Sequence, residues 1–431
     1  MITPPTKRLV RHFRRRAAYL TSLTLMAACA PMPAPQAPTP AEIAGLEAQL
    51  QARSDNVGVR LRLAQAYQSD GRPDASAELL EHVVAAEPEA AFLLGVARED
   101  QERYAEARDA YQVYLERGQS AELRRRARDR VALLGRLELL QAVRAALERE
   151  QDLAATTPAP RTVGVFPFLL VSNDPELSPL GTALAELLTT DLGQTDRLTV
   201  VERLQVRQLL DEMQLGTSGQ VDPATAARSG RLLGAGTIIQ GTVEGGATDL
   251  SVEAAVVRVP TDTVVGDPLR ERDALEQIFA MEKRLALGVY ERSGIQLTAT
   301  ERQRVMRQPT ANIQALLAFG FGLEAQDAGR YEEAQDYFGR AVQLDPAFQL
   351  AGDRLREAEA QLRAVSVSPQ LLAEISLAQS ENLRRQEMFQ VVELLVPDPT
   401  IREAFPEAAG VEGASRQGTA EIVIRRPGVE Q

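Results

Sequence analysis

Covalent catalysis needs an activated nucleophile, and a structural or catalytic metal needs a set of ligands. This chain offers little of either. Its 431 residues include one cysteine, Cys29, and two histidines, His12 and His82. A lone cysteine excludes an intramolecular disulfide framework and a multi-cysteine zinc site. The nearest approach to a hydrolytic acid pair is Asp211-Glu212. Neighbours on a helix point about 100° apart, so the two carboxylates read as a solvated face. Leu215-Gly-Thr-Ser218-Gly219 misses the Gly-x-Ser-x-Gly spacing of a nucleophile elbow. Gly234-Ala-Gly236, followed by Gly241, invites a phosphate-loop reading. It follows a helix and enters a strand, and Lys-Ser/Thr is missing, so a helix cap and tight turn fit better. Glu202-Arg203 is either a buried pair that orients a strand-to-helix turn or a contact between subunits. The expectation is a protein that is not an enzyme and has no cofactor and no metal.

Composition points the same way. Charged residues make up 25% and hydrophobic ones 44%, as in ordinary soluble domains, and the length suits two or three of them. Acids outnumber bases by 60 to 48, which disfavours a broad nucleic-acid surface and leaves proteins or peptides as partners. The only lysines are Lys7 and Lys283.

The N-terminus carries six bases and no acid up to Arg16, then an uncharged run from Ala17 to Ala28. That run is too short to span a bilayer as a helix and reads as a secretory signal over 1–28. Met26-Ala27-Ala28-Cys29 resembles the lipobox of bacterial lipoproteins. The resemblance implies lipidation at Cys29, and Ala30 after it implies the outer membrane, facing the periplasm. Pro-rich residues 29–40 read as a tether.

Two helical regions flank a different middle. In 315–348, Gly322, Gly329, Tyr331, Ala334, Phe338, Ala341 and Pro346 fit the 34-residue tetratricopeptide pattern, although Ala318 and Ala325 replace the usual aromatics. Leu63, Tyr67, Gly71, Leu80 and Pro88 fit it again, and Gly95, Tyr104, Ala107 and Tyr111 begin another unit. Repeats are therefore expected over 41–150 and 312–390, with helix from 369 to about 389. Solenoids usually need about three units, so the pieces must dock on the middle domain or on another subunit.

After Pro160 the periodicity changes. Strands are expected at 162–166, 198–201, 237–243 and 249–259, with 263–265 as a broken partner. Helices are expected at 180–192, after Glu202-Arg203, after Asp222-Pro223, and from Arg272 to about Arg292. Leu198-Thr-Val-Val-Glu-Arg203, Gln208-Leu-Leu-Asp-Glu-Met213, Gly219-x-Val-Asp222 and Gly230-x-Leu-Leu-Gly-Ala-Gly-Thr-Ile-Ile-Gln-Gly241 are similar to the CsgG family, the curli-secretion channel domain. Glu202, Arg203, Glu212, Gly234 and Gly241 carry that motif. The resemblance implies an α+β chain, with a compact α/β sandwich over 161–300 flanked by α-helical repeats. It also implies homo-oligomers. The curli channel adds two long hairpins per subunit, and only Asp249–Val259 is long enough here for one spanning strand. Residues 397–431 read as a disordered tail, with Thr419–Arg425 as a short strand at most. The leading expectation is an outer-membrane lipoprotein acting as an assembly or secretion adaptor. A secretion-pore subunit and a regulator of a cell-wall synthase are the alternatives.

Overall fold

A computed structural model describes residues 38–153, 156–215, 222–376 and 378–379. The expected signal segment, Cys29, most of the expected tether, Gly219, the helix expected beyond 379 and the expected tail lie outside the described residues.

The chain opens with helices α1 (Pro40–Ala52), α2 (Val57–Ser69), α3 (Pro73–Glu81), α4 (Pro88–Asp100), α5 (Tyr104–Arg117) and α6 (Ala121–Glu148). Three helical pairs share one turn. In α2–α3, α4–α5 and a later helical pair over 313–327 and 331–344, the turn residue has a positive φ: Gly71 at 73°, Glu102 at 56° and Gly329 at 73°. The backbone bonds repeat as well. Arg72, Arg103 and Arg330 each donate their N–H to the carbonyl five residues back, at 2.8–2.9 Å. This is the glycine-type helix ending that lets two helices fold back on each other. The repeat spacing in the sequence rests on this turn and on the small residues beneath the facing rings. A Cβ on Gly322 would lie 2.5 Å from the Phe338 ring.

A short helix α7 (Glu150–Leu153) leads into the sheet. The strands are β1 (Ala159–Val165), β2 (Leu169–Val171), β3 (Thr199–Val200), β4 (Ala235–Gly246), β5 (Asp249–Arg258), β6 (Thr263–Val264) and β7 (Leu269–Asp273). Their order is β3-β1-β4-β5-β6, with β2 also on β4 and β7 also on β5. The β1, β2 and β3 pairings are parallel, and β4–β5 is an antiparallel hairpin. Pro167 separates β1 from β2, and Gly266-Asp-Pro268 separates β6 from β7, because proline donates nothing to a ladder. Helices α8 (Leu180–Leu192) and α11 (Ile278–Arg292) cover one face. Leu180, Leu184, Leu188, Leu192, Leu275, Ile278, Phe279 and Leu285 all belong to that buried layer. Helices α9 (Arg203–Glu212) and α10 (Pro223–Leu232) cover the other face, with Val143 of α6. Asp222 caps α10 through the Ala224 and Thr225 amides. The fold is α+β, as expected.

Three expectations change. Arg272 lies in a strand, and the helix starts at Ile278. Residues 269–273 alternate in burial along the edge of β5, where Arg270 and Arg272 pair with Glu253 and Asp249. That edge supplies backbone partners that local propensity cannot show. Strand β4 reaches 12 residues, longer than expected, because β5 pairs with it along its length. A further helix, α12 (Ala299–Val305), starts at a capping box of Thr298 and Glu301.

The chain then returns to repeats: α13 (Ile313–Asp327), α14 (Tyr331–Leu344) and α15 (Gln349–Val365). Phe319 and Phe348 share one buried cluster with Ala318 and Ala325. Their ring centroids are 4.9 Å apart, and Phe338 is 5.7 Å from Phe319. Helix α15 lies along α6. Arg363 grips Asp129 at 3.0 and 2.8 Å, and Arg130 Nη1 donates to the Ala364 carbonyl at 2.7 Å. The two sets of repeats therefore meet directly. The 28 residues of α6 run about 42 Å from the repeat core to the sheet domain.

Candidate functional site

The point where the sheet domain meets the C-terminal repeat is built from charges. Arg203 is the first residue of α9, so its side chain leaves the helix end and crosses to α8 and α13. It is 4% exposed. Its Nε donates to Glu186 on α8 at 2.8 Å, and its two terminal nitrogens donate to both carboxylate oxygens of Asp327. Arg354 of α15 donates to the other Glu186 oxygen at 2.6 Å. Two guanidiniums thus alternate with two carboxylates in a largely buried junction, with the Arg354 side chain a quarter exposed. Burial alone would raise the Glu186 carboxyl, but Arg354 and Arg203 hold it below the usual range. Burial works against the charge on Arg203 as well, and Asp327 and Glu186 outweigh it and raise its pKa. Every charge here faces an opposite one, so the cluster fastens elements together and presents no free acid or base.

The motif residues fall into distinct places. Glu202 is exposed, with no cap bond from its side chain, so it does not pair with Arg203. Adjacent side chains diverge at the helix start, and Arg203 finds its acids 17 and 124 residues away. Arg203 is consumed inside the chain and offers nothing to a subunit contact. Glu212 accepts from Gln208 at 3.0 Å and lies 3.5 Å from Arg144 of α6, whereas Asp211 takes Arg207. The two carboxylates hold different bases. Gly234 ends α10 at φ 65° and leads directly into β4. At Gly241 a Cβ would meet the Glu253 carbonyl at 2.2 Å, beside the Phe168 ring. In the repeat, Ala334, Phe338 and Ala341 are fully buried. Tyr331 packs with Leu133 and Ala364 in the seam between the repeat sets. Pro346 is exposed two residues beyond α14, beside Asp345, which accepts from Thr310 at 2.6 Å.

A second junction joins the first repeats to the chain's later part. Ser368 caps a helix over 369–376, with Pro369 as its first residue. Leu372 and Ala373 are buried in one cluster with Leu61 and Ala64 of α2 and Phe92 and Val96 of α4. Gln370 donates to Asp100 at the end of α4, at 3.1 Å. Asp100 and Asp327 hold the same place, last in the first helix of a repeat. Neither Glu186 nor Asp100 stood out in the sequence, because each sits among residues of ordinary helical pattern.

Residues 150–254 match CsgG, the curli production assembly/transport component. Residues 318–348 match a tetratricopeptide repeat. No individually curated protein matches the chain. The middle of the chain is therefore CsgG-like and the C-terminal repeat is of tetratricopeptide type, which suits contacts between proteins. The CsgG match spans α7 and β1 to β4 and ends within β5, so Arg203 and Glu186 lie inside it and Asp327 and Arg354 outside. Among the described residues no helix is long and apolar enough to cross a membrane.

Proposed function

We propose that this chain is a lipid-anchored envelope adaptor, held at the outer membrane through Cys29 and facing the periplasm. It joins a CsgG-like assembly domain to protein-binding repeats and carries out no catalysis of its own. The buried cluster of Arg203, Glu186, Asp327 and Arg354 carries the reading. Such a cluster transmits a load between two domains, since separating them exposes unpaired charges. The β4–β5 hairpin has the length of a spanning hairpin, yet Ile239, Val243, Val252 and Val256 face α8 and α11, while Ile238 and Val257 face α9 and α10. Unfolding it into a bilayer would empty both cores, which favours an adaptor over a pore. Homo-oligomers would form through surfaces other than Arg203.

Crosslinking and mass spectrometry in native envelopes test this reading, with wild type and Cys29→Ser side by side. Wild type should fractionate with the outer membrane and crosslink through the repeats to a small, constant set of envelope proteins. Cys29→Ser should leave the membrane pellet or stall unprocessed. Unchanged fractionation of Cys29→Ser would remove the anchor. Crosslinks confined to copies of the same chain, with ion leakage from reconstituted liposomes, would replace the adaptor with a pore.

A further inference from the structure

We infer that residues 419–425 dock in the same chain, as an added parallel strand on the free edge of β2. The inference does not rest on the adaptor reading. It gives a place to an alternating segment of the tail that lies outside the described residues.

The sheet has one unguarded edge. Strand β2 pairs with β4 on one side, and among the described residues no strand pairs with its other side. Its residues are Leu169, Leu170 and Val171, and Val171 is 52% exposed. The opposite edge of the sheet is guarded, because β7 carries Arg270, Glu271, Arg272 and Asp273. A charged edge discourages strand addition, and an apolar edge with free backbone groups invites it. The two faces of β2 differ. Leu170 packs on the apolar layer under α8, in register with buried Val243. Val171 is in register with Glu244, which is exposed and holds no base among the described residues.

The tail segment fits that edge in pattern, register and charge. Thr419-Ala-Glu-Ile-Val-Ile-Arg425 alternates, and Gly418 and Pro427 bound it. Setting Ile424 beside Leu170 puts Ala420, Ile422 and Ile424 on the side of the apolar layer. The same register puts Val423 beside Leu169 and Arg425 beside Val171. In the parallel direction, Arg425 then lies two strands, about 10 Å, from Glu244. The two long side chains close that gap across Val171. Reach is ample, since the stretch from 380 to 418 extends to about 130 Å. Linkage within one chain also raises the effective concentration of the strand at the edge. A docked tail closes the edge against a strand from a second copy.

Hydrogen exchange and disulfide trapping on the purified full chain test the placement. In wild type, the amides of 422–424 should exchange at least tenfold more slowly than those of an unstructured peptide. Ile424→Asp changes no residue of the described fold, and it should abolish that protection and speed exchange at 169–171. Glu244→Arg and Arg425→Glu should each reduce protection about threefold, and the double variant should restore it. High salt should shrink both losses. In a Cys29→Ser background, which removes the native thiol, Leu169→Cys with Val423→Cys should oxidise to a disulfide within one chain. Leu169→Cys with Ile424→Cys sets the second thiol on the opposite face, and its yield should be at least fivefold lower. Amides at 422–424 that exchange freely in wild type, or protection that survives Ile424→Asp, overturn the docked strand. Equal disulfide yields overturn the register. A double charge variant no better protected than the single ones overturns the Arg425–Glu244 pairing. A disulfide that forms only between two chains overturns docking in the same chain. None of these results depends on the membrane fractionation or the envelope crosslinks, so the adaptor reading is tested separately.

Discussion

Arg203 closes a two-pronged grip on Asp327, with its terminal nitrogens 2.5 and 2.8 Å from the two carboxylate oxygens. The arginine opens a helix of the CsgG-like domain, and the aspartate ends the first helix of the C-terminal repeat. Removing one member of a buried pair typically costs about 3–5 kcal/mol, because the other charge is left unpaired. Arg203→Met should therefore destabilise the chain by about that amount in urea denaturation. The double variant Arg203→Met/Asp327→Ala should lose less than the sum of the two single changes. Additive losses would show that the contact does not couple the two domains.

Acid should loosen the same junction. Arg354 and Arg203 lower the folded-state pKa of Glu186, overcoming its burial. Its contribution is thus present above the ordinary carboxylate pKa of about 4.3 and is lost as pH falls through the lowered folded value. Urea midpoints should fall across that window in wild type. Glu186→Gln should start lower at neutral pH and fall less steeply. Parallel acid limbs for the two proteins would assign the acid sensitivity elsewhere.

The opposite sign is expected within the apolar layer under α8 and α11. Lys283, which is 1% exposed, pairs with Asp191 and lies 3.1 Å from Glu282. Burial, and then the nearby Asp191 charge, push the Glu282 carboxyl well above its usual range. Wild type therefore loses stability as pH rises from about 4.3 through that raised value. Glu282→Gln should be more stable than wild type at pH 8, and the difference should shrink towards pH 4.5. A variant weaker than wild type at every pH would mean that the charged Lys283–Glu282 pair is worth keeping. Lys283→Met should cost about 3–5 kcal/mol by stranding Asp191.

The repeat core offers a sharper contrast. Ala334 has no exposed surface and belongs to the cluster that includes Phe319 and Phe338. Ala334→Glu inserts a charge where the neighbours are apolar, at a cost of several kcal/mol, on the order of half a usual stability margin. Limited proteolysis should then cut within 315–364. Because α15 is pinned to α6, the damage should spread to the seam around Asp129 and Arg363. An unchanged digestion pattern would remove Ala334 from the core.

What the sequence made legible was local. Gly71 and Gly329 mark tight turns, Asp222-Pro223 marks a cap, and the leucines of α8 mark a covered sheet face, because each depends on residues a few positions away. The binding junctions depend on distant ones. Arg354 reaches Glu186 across 168 residues, and Gln370 reaches Asp100 across 270. Each of these side chains has the pattern of an ordinary helix surface. Only the return of α15 onto α6 brings these surfaces together. Arg272 and Asp273, expected as helix, lie in a strand for the same reason, since an edge strand takes its backbone partners from β5.

Glu102 shows how a distant requirement overrides a local one. It stands at φ 56°, in the turn where the other two repeats have Gly71 and Gly329 at 73°. A side chain in the left-handed region is strained by its Cβ, by about 1 kcal/mol relative to glycine. The backbone geometry is nevertheless kept: Arg103 donates to the Arg98 carbonyl at 2.9 Å, as Arg72 and Arg330 do to their equivalents. From outside the repeat, the Glu102 carbonyl accepts from Gln141 of α6 at 3.2 Å. Glycine would preserve that bond, because it uses the backbone. Glu102→Gly should therefore stabilise the first repeats by about 0.5–1 kcal/mol, less the greater entropy that glycine gives the unfolded chain. Thermal unfolding of the full chain measures it, with Glu102→Ala as the comparison that keeps the Cβ. Glycine should raise the midpoint above that of alanine. If alanine equals or exceeds glycine, the turn at Glu102 is not strained, and its likeness to the Gly71 and Gly329 turns is geometric only.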